Sequence, residues 1–160
     1  MDVVVATREN GGLEFIFSQA KREGWNPGLC DLSIYSSIDP KGLFVGVIDG
    51  TIIGCISGIR LDECYGFVGY YIILPEMRGR SYGIQLFRHA MRYLGDRNVG
   101  LDAVPAQVHN YIKSGFMTYH ISRRYRGFCR AQASTPVDGR LVLLSSIHFP
   151  YVLQYVGVVI

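Results

Sequence analysis

Apolar positions along the 160-residue chain change their period several times, and each change marks an element. "DVVVA" at residues 2–6 is a short β-branched run; after "ENGG", Leu13, Ile16, Phe17 and Ala20 recur at helical spacing until Gly24. A strand followed by a helix is predicted. "GWNPG" is a turn-rich connection, and "LCDLSIYSSI" supplies a second, short helix before the Asp39-Pro40 turn. In "LFVGVIDGTIIGCISGIRL" two β-branched runs meet at Asp49-Gly50, a dipeptide suited to a tight hairpin. "YGFVGYYIIL" has the aromatic and β-branched content of a central strand, and the helix after it carries Ile84, Phe87, Met91 and Leu94 down one side. "VGLDAV" is a further strand, "PAQVHNYIKS" a helix opened by Pro105, and "GFMTYHISRRY" a last strand. This order describes a mixed α/β (α+β) domain with helices on both sides of a sheet.

Beyond Cys129, "RAQASTPVDGR" reads as a linker and "LVLLSSIHFPYVLQYVGVVI" is apolar again. The tail either adds a final strand and helix or begins a second domain, so the division is 1–130 for the main domain and 131–160 for the rest.

Length suits one domain with one sizeable core. A hydrophobic fraction of 49% and a charged fraction of 18% fit a packed globular protein. The formal charge of +3 does not argue for nucleic acid, which calls for Lys and Arg gathered on one face. Cys30, Cys55, Cys64 and Cys129 form no CxxC pair, and the start lacks the basic and apolar regions of a signal peptide, so a reducing, cytoplasmic location is expected. No apolar run approaches the roughly 20 residues that span a bilayer. His89, His109, His120 and His148 lack the i,i+4 spacing of a helical metal site, and no metal is expected.

Chemistry concentrates in "IILPEMRGRSYGIQLF", residues 72–87. A strand breaks at Pro75, crosses the basic turn Arg78-Gly79-Arg80-Ser81-Tyr82-Gly83 and continues as a helix, so free backbone N–H groups and the positive end of a helix dipole converge. Glycine admits backbone to close range of a phosphate, Ser81 adds a hydroxyl or a cap, and Arg78 and Arg80 add charge. A pyrophosphate would fit; a tight turn with solvated arginines has the same spacing. A nucleotide P-loop would end in Gly-Lys-Ser/Thr, and a dinucleotide fingerprint would bring three glycines after the first strand. Neither pattern is present.

"LPEMRGRSYGIQLF" resembles the acyl-CoA signature of the GNAT-type N-acyltransferases, an Arg/Gln-x-x-Gly-x-Gly/Ala loop that grips the CoA pyrophosphate. The match runs from Arg78 to Gly83, with Ser81 where the signature has its first glycine. "NYIKSGF" is similar to the family's "LYEKLGF", which sets Tyr111 four residues before Gly115, at the place of a catalytic tyrosine. The element order to about residue 130 also agrees. "GWNPG", "DP.G.F.G" and "GLDAVPAQVHNYIKSGF" look most like a subgroup with a second acyltransferase-like half, into which a segment similar to "LSSIHFPYVLQY" leads.

The resemblance implies a mostly antiparallel sheet splayed between its fourth and fifth strands, with acyl-CoA, in the first instance acetyl-CoA, as cosubstrate lying in the gap. It also implies direct transfer, in a ternary complex, to a primary amine of a small molecule or a lysine. Cofactor contacts fall on Ile72, Ile73, Arg78, Gly79, Arg80, Ser81, Tyr82, Gly83 and Ile84, with a backbone N–H near Ile72–Ile73 facing the developing oxyanion. Tyr111 becomes the general acid, its reference pKa near about 10 standing above the thiol's about 8.5; read without the resemblance, it is one of 11 tyrosines that can pack a helix onto the sheet. Glu63 or Asp102 is the candidate base, acting through water. Either one reads equally well as an ordinary surface carboxylate. For the acceptor, Trp25, Asp31 and the strand aromatics Tyr65, Phe67 and Tyr71, taken to alternate along one face, line a slot. Core packing is the competing reading for Phe67 and Tyr71, and helix capping for Asp31.

A noncatalytic acyl-CoA-binding module is the alternative that the Ser81 departure keeps open. A nucleic-acid module using Arg123, Arg124, Arg126 and Arg130 ranks last, and neither nucleic acid nor membrane is expected as a partner. A homodimer is compatible with the sequence.

Overall fold

The computed structural model describes residues 1–123, 125, 127, 145–152 and 154. Contacts divide the chain into two units, Met1–Thr118 and Tyr119–Ile160. The described part of the second contains a short 3-10 turn, Ser146–His148, opened by a capping box between Ser145 and His148.

The first unit is built on five strands in the order β1 (Asp2–Val5), β2 (Leu43–Ile48), β3 (Thr51–Arg60), β4 (Tyr65–Ile73) and β5 (Asn98–Leu101). β1 to β4 pair antiparallel and β5 joins β4 in parallel. The β2–β3 hairpin closes at Asp49 and Gly50, whose φ values of 48° and 76° are those of the predicted tight turn. A parallel pair needs a crossover, and α3 (Tyr82–Leu94) provides it.

Each face of the sheet carries its own apolar core. α1 (Gly12–Arg22) and α2 (Asp31–Ile38) cover Leu43, Val45, Cys55, Ile59 and Ile72 on one face, where Ile16 and Ala20 of α1 are fully buried. On the other face α3 sets Leu86, Phe87, Ala90 and Leu94 against Phe44, Ile56, Val68 and Ile73, and α4 (Val108–Lys113) brings Tyr111 to the same cluster. The buried stripe of α3 is therefore rotated from the predicted one: Leu86 and Ala90 enter it, while Ile84 stays 40% exposed. A buried carboxylate ties the layers together, for Asp39 accepts from the Tyr93 hydroxyl at 2.6 Å and from the Arg60 amide at 2.9 Å.

One predicted element is absent among the described residues. The described residues from Met117 to Arg123 form no strand, and Met117, Tyr119 and Ile121 are 91%, 97% and 79% exposed. An alternating sequence becomes a strand only where another strand offers it a ladder. Among the described residues none pairs with these. No helix among the described residues is long and apolar enough to cross a membrane.

Candidate active site

The site begins where β4 and β5 part. Their pairing runs from Tyr65↔Asn98 to Val68↔Leu101 and stops, while β4 continues to Ile73. Against β3 the register steps from Ser57↔Gly69 to Cys55↔Ile72, so Tyr70 and Tyr71 together face Ile56. This is a β-bulge. Tyr70 holds a left-handed φ of 47°, and its carbonyl accepts from the Cys55 thiol at 3.1 Å.

The bulge reverses the alternation of side chains. Val68, Tyr71 and Ile73 pack in the core under α3, whereas Tyr70 and Ile72 pack under α1 and α2. It also decides which peptide groups are open. Leu74 N–H donates to the Ile53 carbonyl at 3.0 Å, so strand alternation turns the peptide groups of Ile72 toward β3 and those of Tyr71 and Ile73 toward the edge that β5 leaves bare. The open peptide groups expected at Ile72 thus lie at Tyr71 and Ile73 instead. The Ile73 carbonyl on that edge already accepts from Arg78 Nε at 2.8 Å.

The loop after β4 forms a cradle of amides. A short 3-10 turn, Pro75–Met77, carries the chain to Arg78, and α3 starts at Tyr82. Among the described residues, no protein acceptor receives the backbone N–H groups from Gly79 to Ile84. They crowd the positive end of a 13-residue helix, which is an anion site by construction. Ser81 has φ 62°, the left-handed backbone that the family's glycine would adopt without strain, and its side chain makes no capping bond. Gly83 is required for a different reason: a methyl group there would come within 2.6 Å of the Tyr71 hydroxyl. Arg80 is exposed. The guanidinium of Arg78 is held by Glu23, the residue that follows α1, at 2.9 Å as well as by the Ile73 carbonyl. Its charge is engaged in fastening the loop to the first helix.

Beside the cradle lies a cavity of about 320 Å³ between α3 and α4, with Tyr71, Ile84, Phe87, Asn110 and Tyr111 in its wall. Tyr71, Phe87 and Tyr111 follow one another at ring separations of 5.9 and 6.1 Å. Burial raises the Tyr111 pKa above the usual phenol value, and burial, then the nearby Tyr111, push Tyr71 up to about 12. Both phenols are protonated at neutral pH. A Tyr111 hydroxyl in that state can give a proton to a departing thiolate.

Side chains rather than amides dominate the opposite face. Asp31, the first residue of α2, accepts from Gly28 N–H at 2.8 Å and from the Tyr70 hydroxyl at 3.4 Å. Tyr35 meets Tyr70 edge-on at 6.0 Å. Burial raises both phenols, as does the charge of Asp31, and Asp102 raises Tyr35 further. Asp31 and Asp102 therefore share one electrostatic neighbourhood. Asp102 follows β5 at the point where the gap opens, and Trp25 packs against the core on this same face.

Three expected residues stand elsewhere. Glu63 is exposed in the β3–β4 turn, and from Tyr65 to the bulge β4 runs roughly 20 Å, which puts this carboxylate out of reach of the gap. Tyr65 and Phe67 lie over Gly100 on the paired half of β4, with the Tyr65 hydroxyl filling the space where a side chain at Gly100 would go. Tyr71 does not share their face, because the bulge intervenes. Tyr35 and Tyr70 were missed, although a glycine inside a strand pattern, as in Gly69-Tyr70-Tyr71, is a sign of a bulge.

Fold and cradle together define a GNAT-type acyltransferase domain. The chain belongs to the acetyltransferase (GNAT) family, whose model matches residues 12–116. It is 34% identical over 117 residues to the holothin acyltransferase of Pseudoalteromonas sp. (strain SANK 73390), a match covering 73% of this chain and 40% of that protein. The chain thus spans less than half the length of this curated relative. Among solved structures, Ard1 from Thermoplasma volcanium superposes with a TM-score of 0.63 at 15% identity, covering 74% of this chain and 84% of that one. The aminoglycoside N-acetyltransferase AAC(6')-Iy, solved in complex with CoA, gives 0.54 at 20% identity over 80% of this chain and all (100%) of that one. At these identities the structural likeness concerns the fold. Among the described residues no group of three or more His, Cys, Asp or Glu side chains is placed to hold a metal ion.

Proposed function

We propose that this domain is an N-acyltransferase that moves an acyl group, acetyl in the first instance, from acyl-CoA to a primary amine of a small molecule or a lysine. The observation that carries the reading is the adjacency of the unpaired amides from Gly79 to Ile84 and the Tyr111 cavity, which Ile84 itself lines. The amides suit a diphosphate: six successive donors lack a protein acceptor at a positive helix end, with open space beside Gly79. When bound there, acyl-CoA supplies a thioester whose carbonyl carbon takes the amine and whose sulfur leaves.

The protein's residues divide the remaining work. The open edge of β4 at Tyr71 and Ile73 presents peptide N–H groups to the pantetheine arm and to charge developing on the carbonyl oxygen, a kind of stabilisation worth several kcal/mol, about 3 for one donor. Tyr111 donates its phenolic proton to the sulfur as the C–S bond breaks, and water returns a proton to the phenolate. On the other face, Asp31 attracts the cationic acceptor. Asp102, acting through water, removes the proton that the amine must lose for the C–N bond to form.

A thiol-release assay with acetyl-CoA over polyamines, amino acids, aminoglycosides and lysine peptides tests the proposal, with Tyr111→Phe as control. Turnover of at least one class, strongly reduced in the variant, is expected. Coenzyme A binding without turnover of any amine would leave an acyl-CoA-binding module instead.

A further inference from the structure

The phenol of Tyr71 has more to do than fill space. The bulge sends it to the α3 face, away from Tyr65 and Phe67, and its ring lies against Phe87. Its hydroxyl reaches the first turn of α3 so closely that Gly83 has no room for a methyl group. Among the described residues the hydroxyl has no hydrogen-bond acceptor, although the side chain is half-buried in the wall of the cavity. No buried side-chain N or O among the described residues lacks a partner, so this hydroxyl is open to the cavity and available to a ligand. It stands beside Gly83 in the first turn of α3, whose amide, like that of Ile84, has no protein acceptor among the described residues. Backbone donors and a phenolic donor, all without a protein acceptor among the described residues, therefore lie together at the start of α3. The several oxygens of an anionic group suit such a set of donors.

We infer that the Tyr71 hydroxyl is a further cofactor-binding group, donating to a phosphate oxygen of the diphosphate held at the start of α3. Sequence reading placed this residue with the acceptor amine; the bulge moves it to the cofactor. Gly83 then has two tasks, to let the backbone approach the phosphate and to let the phenol stand beside it. Tyr71 remains a donor throughout the neutral range, because its burial keeps the proton on.

The inference rests on reading the amide cradle as the CoA diphosphate site, and the test separates the two. Titration of the wild-type chain with coenzyme A should give saturable binding, and its absence removes the cradle reading itself. Given that binding, Tyr71→Phe should weaken coenzyme A about tenfold, the loss expected for one hydrogen bond to a charged oxygen. Tyr111→Phe should leave the affinity within about twofold, since its phenol faces the sulfur end. Unchanged affinity in Tyr71→Phe overturns the inference. Should that variant fail to fold, the coenzyme A complex of the wild-type chain decides: a Tyr71 hydroxyl within about 3.2 Å of a phosphate oxygen supports the assignment, and one beyond that distance from both phosphates overturns it.

Discussion

The two sides of the β4 bulge present different parts of the chain, and on the proposed function they meet different recognition problems. Under α3 the site is made of main chain: six unpaired amides, an open strand edge and a helix terminus, with Tyr71 and Tyr111 added. Under α1 and α2 it is made of side chains, Asp31 and Tyr35 from α2, Tyr70 from β4 and Asp102 from the segment after β5. Main-chain recognition needs a particular backbone path and so leaves a local, readable pattern of glycines and turns. Side-chain recognition can be rewritten residue by residue on an unchanged backbone. The comparison predicts that variants on one side alter cofactor behaviour or chemistry, variants on the other alter acceptor behaviour, and variants of the bulge alter both.

The largest effect should come from Tyr111→Phe. Loss of a positioned proton donor lowers kcat by about 100-fold or more, with coenzyme A affinity retained. The pH profile carries its own check. Burial raises the Tyr111 pKa above the ordinary phenol value, so the donor stays protonated as pH rises through the neutral range and is lost only above about 10. A wild-type kcat limb falling near pH 8 would assign the proton to another group.

Next in size is the bulge itself. Cys55 is fully buried and its thiol occupies the Tyr70 carbonyl, which the β3–β4 ladder leaves out. Cys55→Ala removes the donor and strands that acceptor, which should cost about 1–3 kcal/mol in urea denaturation in addition to the small cavity it leaves. It should also weaken acetyl-CoA and acceptor binding together. Cys55→Ser keeps a donor and should recover most of both losses. Burial pushes this thiol from the ordinary 9.0 up to about 12. A raised folded-state pKa means that the stabilisation is complete below about pH 9 and disappears as pH climbs toward about 12. Wild-type stability should therefore decline through that window more steeply than that of the serine variant.

Smaller again is Asp31→Asn. It removes charge from the acceptor side and keeps an oxygen for Gly28, so the KM for a cationic amine should rise about tenfold while that for acetyl-CoA stays the same. An equal rise in both would place Asp31 on the cofactor side and break the comparison.

These differences also explain what the sequence could and could not reveal. The hairpin at Asp49-Gly50, the amphipathic helices and the strand-to-helix turn are encoded over neighbouring residues, and periodicity found them. The cradle was legible for the same reason. Which of Tyr65, Phe67, Tyr70 and Tyr71 shares a face was not legible, because a single unpaired residue inverts the count and the group that meets its carbonyl, the Cys55 thiol, lies 15 positions away in sequence. Glu63 was misplaced by a related error: proximity to β4 in sequence says nothing about which end of a nine-residue strand holds the chemistry. The engagement of Arg78 by Glu23 links residues 55 positions apart, and no local pattern announces it.

The smallest effect tests the cradle from within. Ser81 occupies a left-handed backbone position with φ 62° and ψ 10°, and its hydroxyl caps nothing. A non-glycine residue there is strained by about 1 kcal/mol, while glycine in its place costs the unfolded chain more entropy on folding, so the two effects partly offset. Ser81→Gly should stabilise the chain by about 0.5 kcal/mol, read as a small rise in Tm. Its effect on the cofactor follows from geometry. The amides of Gly79 to Ile84 are already without acceptors among the described residues, and removing a hydroxymethyl group from their midst opens access to them. Coenzyme A affinity should then rise by no more than about threefold, as uniform binding that leaves kcat unchanged. A loss of affinity would instead mean that the Ser81 hydroxyl is itself a donor to the diphosphate, and the division between a main-chain side and a side-chain side would have to be redrawn at that residue.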